Sequence, residues 1–162
     1  FFVDICKEVA ADYNLEVDEY FVDAMAALLV RKPNYFDVIV TTNMYGDIIS
    51  DLAAELSGGL GLGPSVNAGD DHVMAQSAHG SAPDIAGQNI ANPTAMILSA
   101  GMLLDTLGTR LNRPELLAAA MRLDEAIDTQ LSEKDGCTPD LGGPLGTDAF
   151  GAGVAEKVKG GT

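Results

Sequence analysis

Between Phe21 and Val30 the chain reads Phe-Val-Asp-Ala-Met-Ala-Ala-Leu-Leu-Val, and Asp23 is the only polar residue in it. A helix that is apolar all round has no face to give to water and must be buried on every side. The whole sequence is 162 residues, one domain's worth of chain. In so small a domain, that helix points to a subunit interface. Pro33 ends it. Asp23 at its start has two open readings: a cap or first-turn acid, or a carboxylate placed for chemistry.

A second constraint follows directly. Asp37-Val38-Ile39-Val40-Thr41 is short, apolar and β-branched, which predicts a central strand. The residues Asn43-Met44-Tyr45-Gly46-Asp47-Ile48-Ile49-Ser50-Asp51 come next, and an amphipathic helix is predicted from Asp47 to Leu56. Its buried stripe is Ile48, Ile49, Leu52, Ala53 and Leu56. Asp47 and Asp51 are then separated by about 40° of rotation and about 6 Å of rise, on one face of adjacent turns. Two carboxylates so placed can hold one hard divalent cation. They are equally the start of a solvated acidic face, which Glu55 continues one turn on.

Composition excludes several function classes. Acidic residues outnumber basic ones 24 to 9, for a net charge of −15. Such a surface repels nucleic acid and anionic membrane. It also repels an acidic substrate unless a metal or a basic cluster inverts the local field. The apolar fraction of 47% is that of a globular protein. No apolar run reaches membrane-spanning length, and no signal-peptide pattern opens the chain. Cys6 and Cys137 lie in no metal-type spacing and make no disulfide framework, so reduced thiols in a cytoplasmic protein are expected. The chain opens without Met, on residues that read as a helix already under way; the expectation is a fragment.

Residues 1 to 12 carry Phe2, Ile5, Cys6 and Val9 at helical spacing. Leu15 to Tyr20 alternates apolar and charged residues, predicting a short strand. Gly58-Gly59-Leu60-Gly61-Leu62-Gly63-Pro64-Ser65 breaks the composition and predicts an interdomain connection. It is no dinucleotide fingerprint, because it follows a helix and no helix opens behind it. Val66 to Asp71 reads as a strand end and turn. His79-Gly80-Ser81-Ala82-Pro83-Asp84-Ile85-Ala86-Gly87 is a loop of small residues, and Gly80 and Gly87 permit close backbone approach to a ligand. Asn92 as cap and Pro93 at the first helical position predict a helix start. That helix runs from Thr94 to Leu107, with Gly108 as its stop and its methionines as core filling. Pro114 to Leu131 is a further helix, and Thr147 caps a last one to about Val158.

Several of these strings, in this order, resemble the β-decarboxylating dehydrogenases, the isopropylmalate, isocitrate, homoisocitrate and tartrate enzymes. They are Asn43 to Asp51 with Gly58 to Leu62, Val22-Asp23-Ala24-Met25, His79 to Gly87 with Ile90 to Thr94, and Thr138 to Gly143 with Gly146-Thr147. The resemblance covers the whole chain and implies an α/β fold of the isopropylmalate/isocitrate dehydrogenase type. In that fold of two layered domains, only the C-terminal part is present here. Residues 1–57 would belong to the dimer-interface, metal-binding domain and 58–162 to the NAD-binding domain.

The resemblance further implies oxidative decarboxylation of a 2-hydroxy acid with a carboxylate on the neighbouring carbon. NAD would take the hydride, and Mg²⁺ or Mn²⁺ would supply Lewis acidity. Asp23 of one subunit would join Asp47 and Asp51 of the other around the metal, with the 21–32 and 47–57 helices pairing across a homodimer. His79, Gly80, Ser81, Ala82, Asp84, Ile85 and Asn92 would line the cofactor, with part of the Gly58–Ser65 loop near the nicotinamide and Asp140 near the adenine or a plain turn acid. An Asp at position 84, where NADP-dependent relatives carry a basic residue, implies NAD. A carboxylate accepts hydrogen bonds from ribose hydroxyls and repels a 2′-phosphate. Gln76-Ser77-Ala78 departs from the Glu-Pro-Val often found before the loop.

The catalytic tyrosine, lysine and arginines of the family have no counterpart in the chain and are expected upstream, so the chain alone is expected to be inactive. Tyr45 belongs to the metal signature. Ser81 and Asp84 lean toward the isopropylmalate or tartrate types, since isocitrate types more often carry Thr at position 81; the expected order of substrates is isopropylmalate, then isocitrate, then tartrate or malate. Two other classes compete: a noncatalytic acidic dimerisation module, and a metal-dependent hydrolase that would leave the 79–93 loop unexplained.

Overall fold

The computed structural model describes residues 1–160. It comprises two compact units that part inside one helix, Phe1–Ile49 and the unit beginning at Ser50.

The first unit carries helix α1 (Phe2–Asp12), helix α2 (Val22–Arg31) and the start of α3 (Asn43–Leu56). Its buried apolar residues are Ala10, Met25, Leu29 and Ile49. The segment between α1 and α2 is extended without forming a strand. Side chains fasten it: Lys7 reaches Glu19 at 2.9 Å, and the Tyr35 hydroxyl donates to Asp18 at 2.9 Å. Tyr20 and Tyr35 each meet the Phe36 ring edge-on.

The predicted strands at 15–20 and 37–41 do not form. A strand is completed by a neighbour's backbone, and neither segment pairs with one; Val38 stays 80% exposed. The apolar 21–30 helix is real but not buried on all sides within this chain. Met25 and Leu29 are covered, whereas Phe21 is 83% exposed.

The second unit is built on a hairpin of β1 (Pro64–Ala68) and β2 (Val73–Ser77). The strands are antiparallel, with Val66 opposite Ala75. Helix α4 (Thr94–Leu111) lies on the hairpin, α5 (Pro114–Leu131) packs on α4, and α6 (Thr147–Gly160) packs on α5. The fully buried Ser99 hydroxyl of α4 accepts from the Ser65 amide at 3.2 Å and lies 2.7 Å from the Gln76 carbonyl. Those residues face each other in the hairpin, so one side chain ties α4 to both strands. Ala126, Ile127, Phe150 and Val154 form the core between α5 and α6.

Several helix ends differ from the predicted ones. Helix α4 runs through Gly108 and ends at Asn112, which adopts the left-handed conformation at φ 50°. Gly108 instead admits the neighbouring helix, since a Cβ there would lie 2.7 Å from the Leu117 side chain. Helix α4 starts at Thr94, as its predicted span has it, but Pro93 rather than Asn92 holds the cap position, and Asn92 Oδ1 accepts from the Thr94 amide at 3.0 Å. At α6, Thr147 is not the cap: its hydroxyl donates to the Ala91 carbonyl, and Asn89 Oδ1 accepts the Asp148 amide at 2.9 Å. The methionines of α4 are not core filling either, for Met96 is 52% exposed.

Candidate active site

Helix α3 begins four residues before the predicted start, with the Gly46 amide bonded to the Thr42 carbonyl. Asp47 therefore stands beyond the first turn, where the dipole's preference for acids has faded. Asp47 and Asp51 remain on adjacent turns of one face, both exposed. Asp23 is in the first turn of α2, and its Oδ1 accepts the following Ala24 amide at 2.8 Å. That is the local satisfaction expected of a first-turn acid.

The donors at 47 and 51 are hard carboxylate oxygens, which suit Mg²⁺ or Mn²⁺. Among the described residues no group of three or more His, Cys, Asp or Glu is gathered to hold a metal.

The loop from His79 to Asn92 is shaped by its backbone. His79 Nδ1 is 2.8 Å from the Gly80 carbonyl. Gly80 faces open space, as does Gly87 at φ +76°, a value that favours glycine. Ala82 sits in the left-handed region at φ 41°, which costs a residue with a Cβ free energy. It feeds a 3₁₀ turn, Pro83–Ile85, that carries Asp84 and Ile85. The Gln88 side chain donates to the Asp84 carbonyl at 2.7 Å, leaving the Asp84 carboxylate exposed at the tip. Ser81 is exposed beside it.

Asn92 differs from the rest: it is 9% exposed and heavily engaged. Its Nδ2 donates to Asp140 Oδ2 at 3.0 Å, and Asp140 Oδ1 accepts from the buried Thr138 hydroxyl at 2.5 Å. Gly61 lies against this pair; a Cβ there would be 2.9 Å from Asn92 Cβ and 3.2 Å from Asp140 Oδ2. The glycine-rich segment, the 79–92 loop and the Thr138–Asp140 turn thus converge. A cavity of about 270 Å³ lies nearby in sequence, walled by Ser50, Ala54, Ser57, Leu62, Gly63 and Ala78. Sequence reasoning missed Asn89, the strain at Ala82 and the bond from Thr138 to Asp140. The only trace of them was an Asn and a Thr in loops of small residues.

Comparison with known proteins identifies the class. The structure superposes on the crystal structure of isocitrate dehydrogenase from Methylococcus capsulatus with a TM-score of 0.89 and 42% identity, over 98% of this chain and 45% of that one. A β-decarboxylating dehydrogenase from Thermococcus kodakarensis matches with a TM-score of 0.75 and 37% identity, over 99% of this chain and 45% of that one. In sequence, the chain is 54% identical over 159 residues to the isocitrate/homoisocitrate dehydrogenase of Thermus thermophilus, spanning 98% of this chain and 45% of the relative. It is 49% identical over 155 residues to a 3-isopropylmalate dehydrogenase of Archaeoglobus fulgidus, spanning 95% and 45%. The fold class is that of the β-decarboxylating dehydrogenases. The family described as isocitrate/isopropylmalate dehydrogenase matches residues 1–154, and the chain belongs to it. The chain spans less than half the length of these relatives. Among the described residues no helix is long and apolar enough to cross a membrane.

Proposed function

We propose that the protein carrying this chain oxidises and decarboxylates a 2-hydroxy acid that bears a carboxylate on the neighbouring carbon, with NAD as acceptor. The observation that carries this is the family match over residues 1–154, which takes in both the Asp47–Asp51 helix and the 79–92 loop. Residues 1–57 are assigned to a dimer-interface and metal-binding domain, and 58–162 to the NAD-binding domain.

In this reading Asp47 and Asp51 hold Mg²⁺ or Mn²⁺ together with Asp23 of the partner subunit, across a homodimer formed by the 21–32 and 47–57 helices. Exposed Phe21 and Val30 at the ends of α2, and exposed Met44, Ile48 and Leu56 on α3, support that pairing, since exposed apolar patches mark interfaces. The metal supplies Lewis acidity toward the substrate's oxygens. The loop residues His79, Gly80, Ser81, Ala82, Asp84 and Ile85 bind the cofactor, Asp84 by accepting from ribose hydroxyls. Asn92 shapes the pocket from its buried position, with one amide hydrogen left for a ligand. A cytoplasmic location suits the free thiols of Cys6 and Cys137.

The substrate's third substituent is read by residues outside this chain. Ser81 favours isopropylmalate. The 54% identity to an isocitrate/homoisocitrate dehydrogenase favours a tricarboxylic acid. The test follows NADH formation by the full-length protein containing this chain, with Mg²⁺ or Mn²⁺, against isopropylmalate, isocitrate, homoisocitrate, tartrate and malate. NADP is the control. Turnover with one acid and NAD is expected. A protein that binds metal and dimerises without turning over any acid would overturn the proposal in favour of a noncatalytic module or a hydrolase.

A further inference from the structure

The 79–92 loop is anchored at its far end to a rigid element that takes no part in the site. Asn89 is in the left-handed region at φ 56°. In that pose its carbonyl accepts the Thr147 amide at 3.1 Å, and its Oδ1 accepts the Asp148 amide at 2.9 Å. Thr147 answers with its hydroxyl, which donates to the Ala91 carbonyl at 2.5 Å. Three hydrogen bonds therefore join residues 89–91 to the first turn of α6. Gly146 makes the close approach possible, because a Cβ there would be 2.7 Å from the Asn89 carbonyl oxygen. Helix α6 is itself fixed by Phe150 and Val154, 0% and 3% exposed, in the core. The other end of the contact continues through Ala91 to the buried Asn92.

We propose that Asn89 and Thr147 are positioning residues that set the pose of the cofactor loop by clamping it to α6. The proposal rests on the reading of that loop as the NAD site. Neither side chain needs to touch NAD. Their effect is to hold residues 84–92 in the conformation that binds it, so loosening the clamp adds an ordering cost to NAD binding alone.

The experiment uses the full-length protein containing this chain and the variants Thr147→Val, Asn89→Ala and Asn89→Asp. Thr147→Val keeps the shape and loses the bond to Ala91. Asn89→Ala loses the acceptor and puts a Cβ-bearing residue without a polar group at a positive φ. Asn89→Asp keeps both the acceptor and the tolerance for that φ. The first two variants should raise the KM for NAD about fivefold, the scale of one lost cap, with the KM for the hydroxy acid within about twofold of wild type. Asn89→Asp should stay near wild type. An unchanged KM for NAD in Thr147→Val overturns the proposal, as does an Asn89→Asp variant as impaired as Asn89→Ala. If Asn89→Ala does not fold, Thr147→Val carries the decision. Amide exchange of residues 86–92 separates the two layers. A wild type that binds no NAD defeats the functional reading, yet faster exchange in Thr147→Val still supports the clamp, and unchanged exchange overturns it.

Discussion

Asn92 and Asp140, 48 residues apart, share one hydrogen bond of 3.0 Å that joins the 79–92 loop to the C-terminal turn. Asp140 spends its other oxygen on the Thr138 hydroxyl, which is fully buried. Removing the exposed carboxylate leaves the buried Thr138 hydroxyl and the Asn92 amide without their acceptor, and an orphaned buried donor costs about 1–3 kcal/mol. Asp140→Ala should therefore lower the unfolding free energy by about 1–3 kcal/mol, read as a lower denaturant midpoint with an unchanged slope. Asp140→Asn, which can still accept one bond, should lose less. Equal midpoints for wild type and Asp140→Ala would show that the network is not stabilising.

Two helical glycines should respond in opposite directions to the same substitution. At Gly108 a Cβ would lie 2.7 Å from the Leu117 side chain and 3.1 Å from its backbone nitrogen. Helix α5 would have to move, and overpacking of that kind costs about 1–3 kcal/mol, more than the helix propensity gained. At Gly151, in the body of α6, nothing lies within 4 Å of the added carbon. Gly151→Ala should stabilise by about 0.5–1 kcal/mol. Thermal melts of the two variants check the pair, and a stabilising Gly108→Ala would contradict the packing argument.

Gly108 also marks where sequence reasoning reaches its end. Periodicity located the helices, and it gave α5 both its termini because Pro114 and the apolar stripe are local signals. A glycine after an apolar run reads as a stop, but here its use is tertiary: it makes room for Leu117, a residue in another helix. The segment 37–41 failed for a related reason. Its β-branched residues state a preference, and only a neighbouring strand realises it. The 79–92 loop stood out because the resemblance it carries lies in consecutive residues. The clamp did not, because Asn89 and Thr147 are far apart in the chain, and Thr147 reads locally as a helix cap rather than as a partner of residues 89–91.

Tyr35 supplies a pH signature in the first unit. Its hydroxyl donates to Asp18, and that bond, followed by one with Tyr20, pushes the phenol up to about 12. The folded state thus favours the protonated phenol over the ordinary value near 10. The stabilisation it brings is complete below pH 10 and is lost as the pH rises through 12. An ultraviolet titration of tyrosinate should show a late step near pH 12 that vanishes in Tyr35→Phe. A late step that survives the substitution would assign it to another residue.

Asp84 sits exposed on the 3₁₀ turn at the tip of the loop. If it faces the ribose, its charge opposes a 2′-phosphate carrying one to two negative charges. At the effective dielectric of a protein surface, like charges a few ångströms apart repel by a few kcal/mol before screening. Salt weakens that repulsion, with a screening length of about 8 Å at physiological ionic strength. Two outcomes follow for the full-length protein. Asp84→Lys should move the ratio of kcat/KM for NADP over NAD upward by about tenfold or more, since one such contact is worth at least about 1.4 kcal/mol. In the wild type the preference for NAD should narrow as salt is raised, because electrostatic exclusion is screened whereas a steric wall is not. A preference that is independent of salt and untouched by Asp84→Lys would place cofactor choice on another residue of the loop.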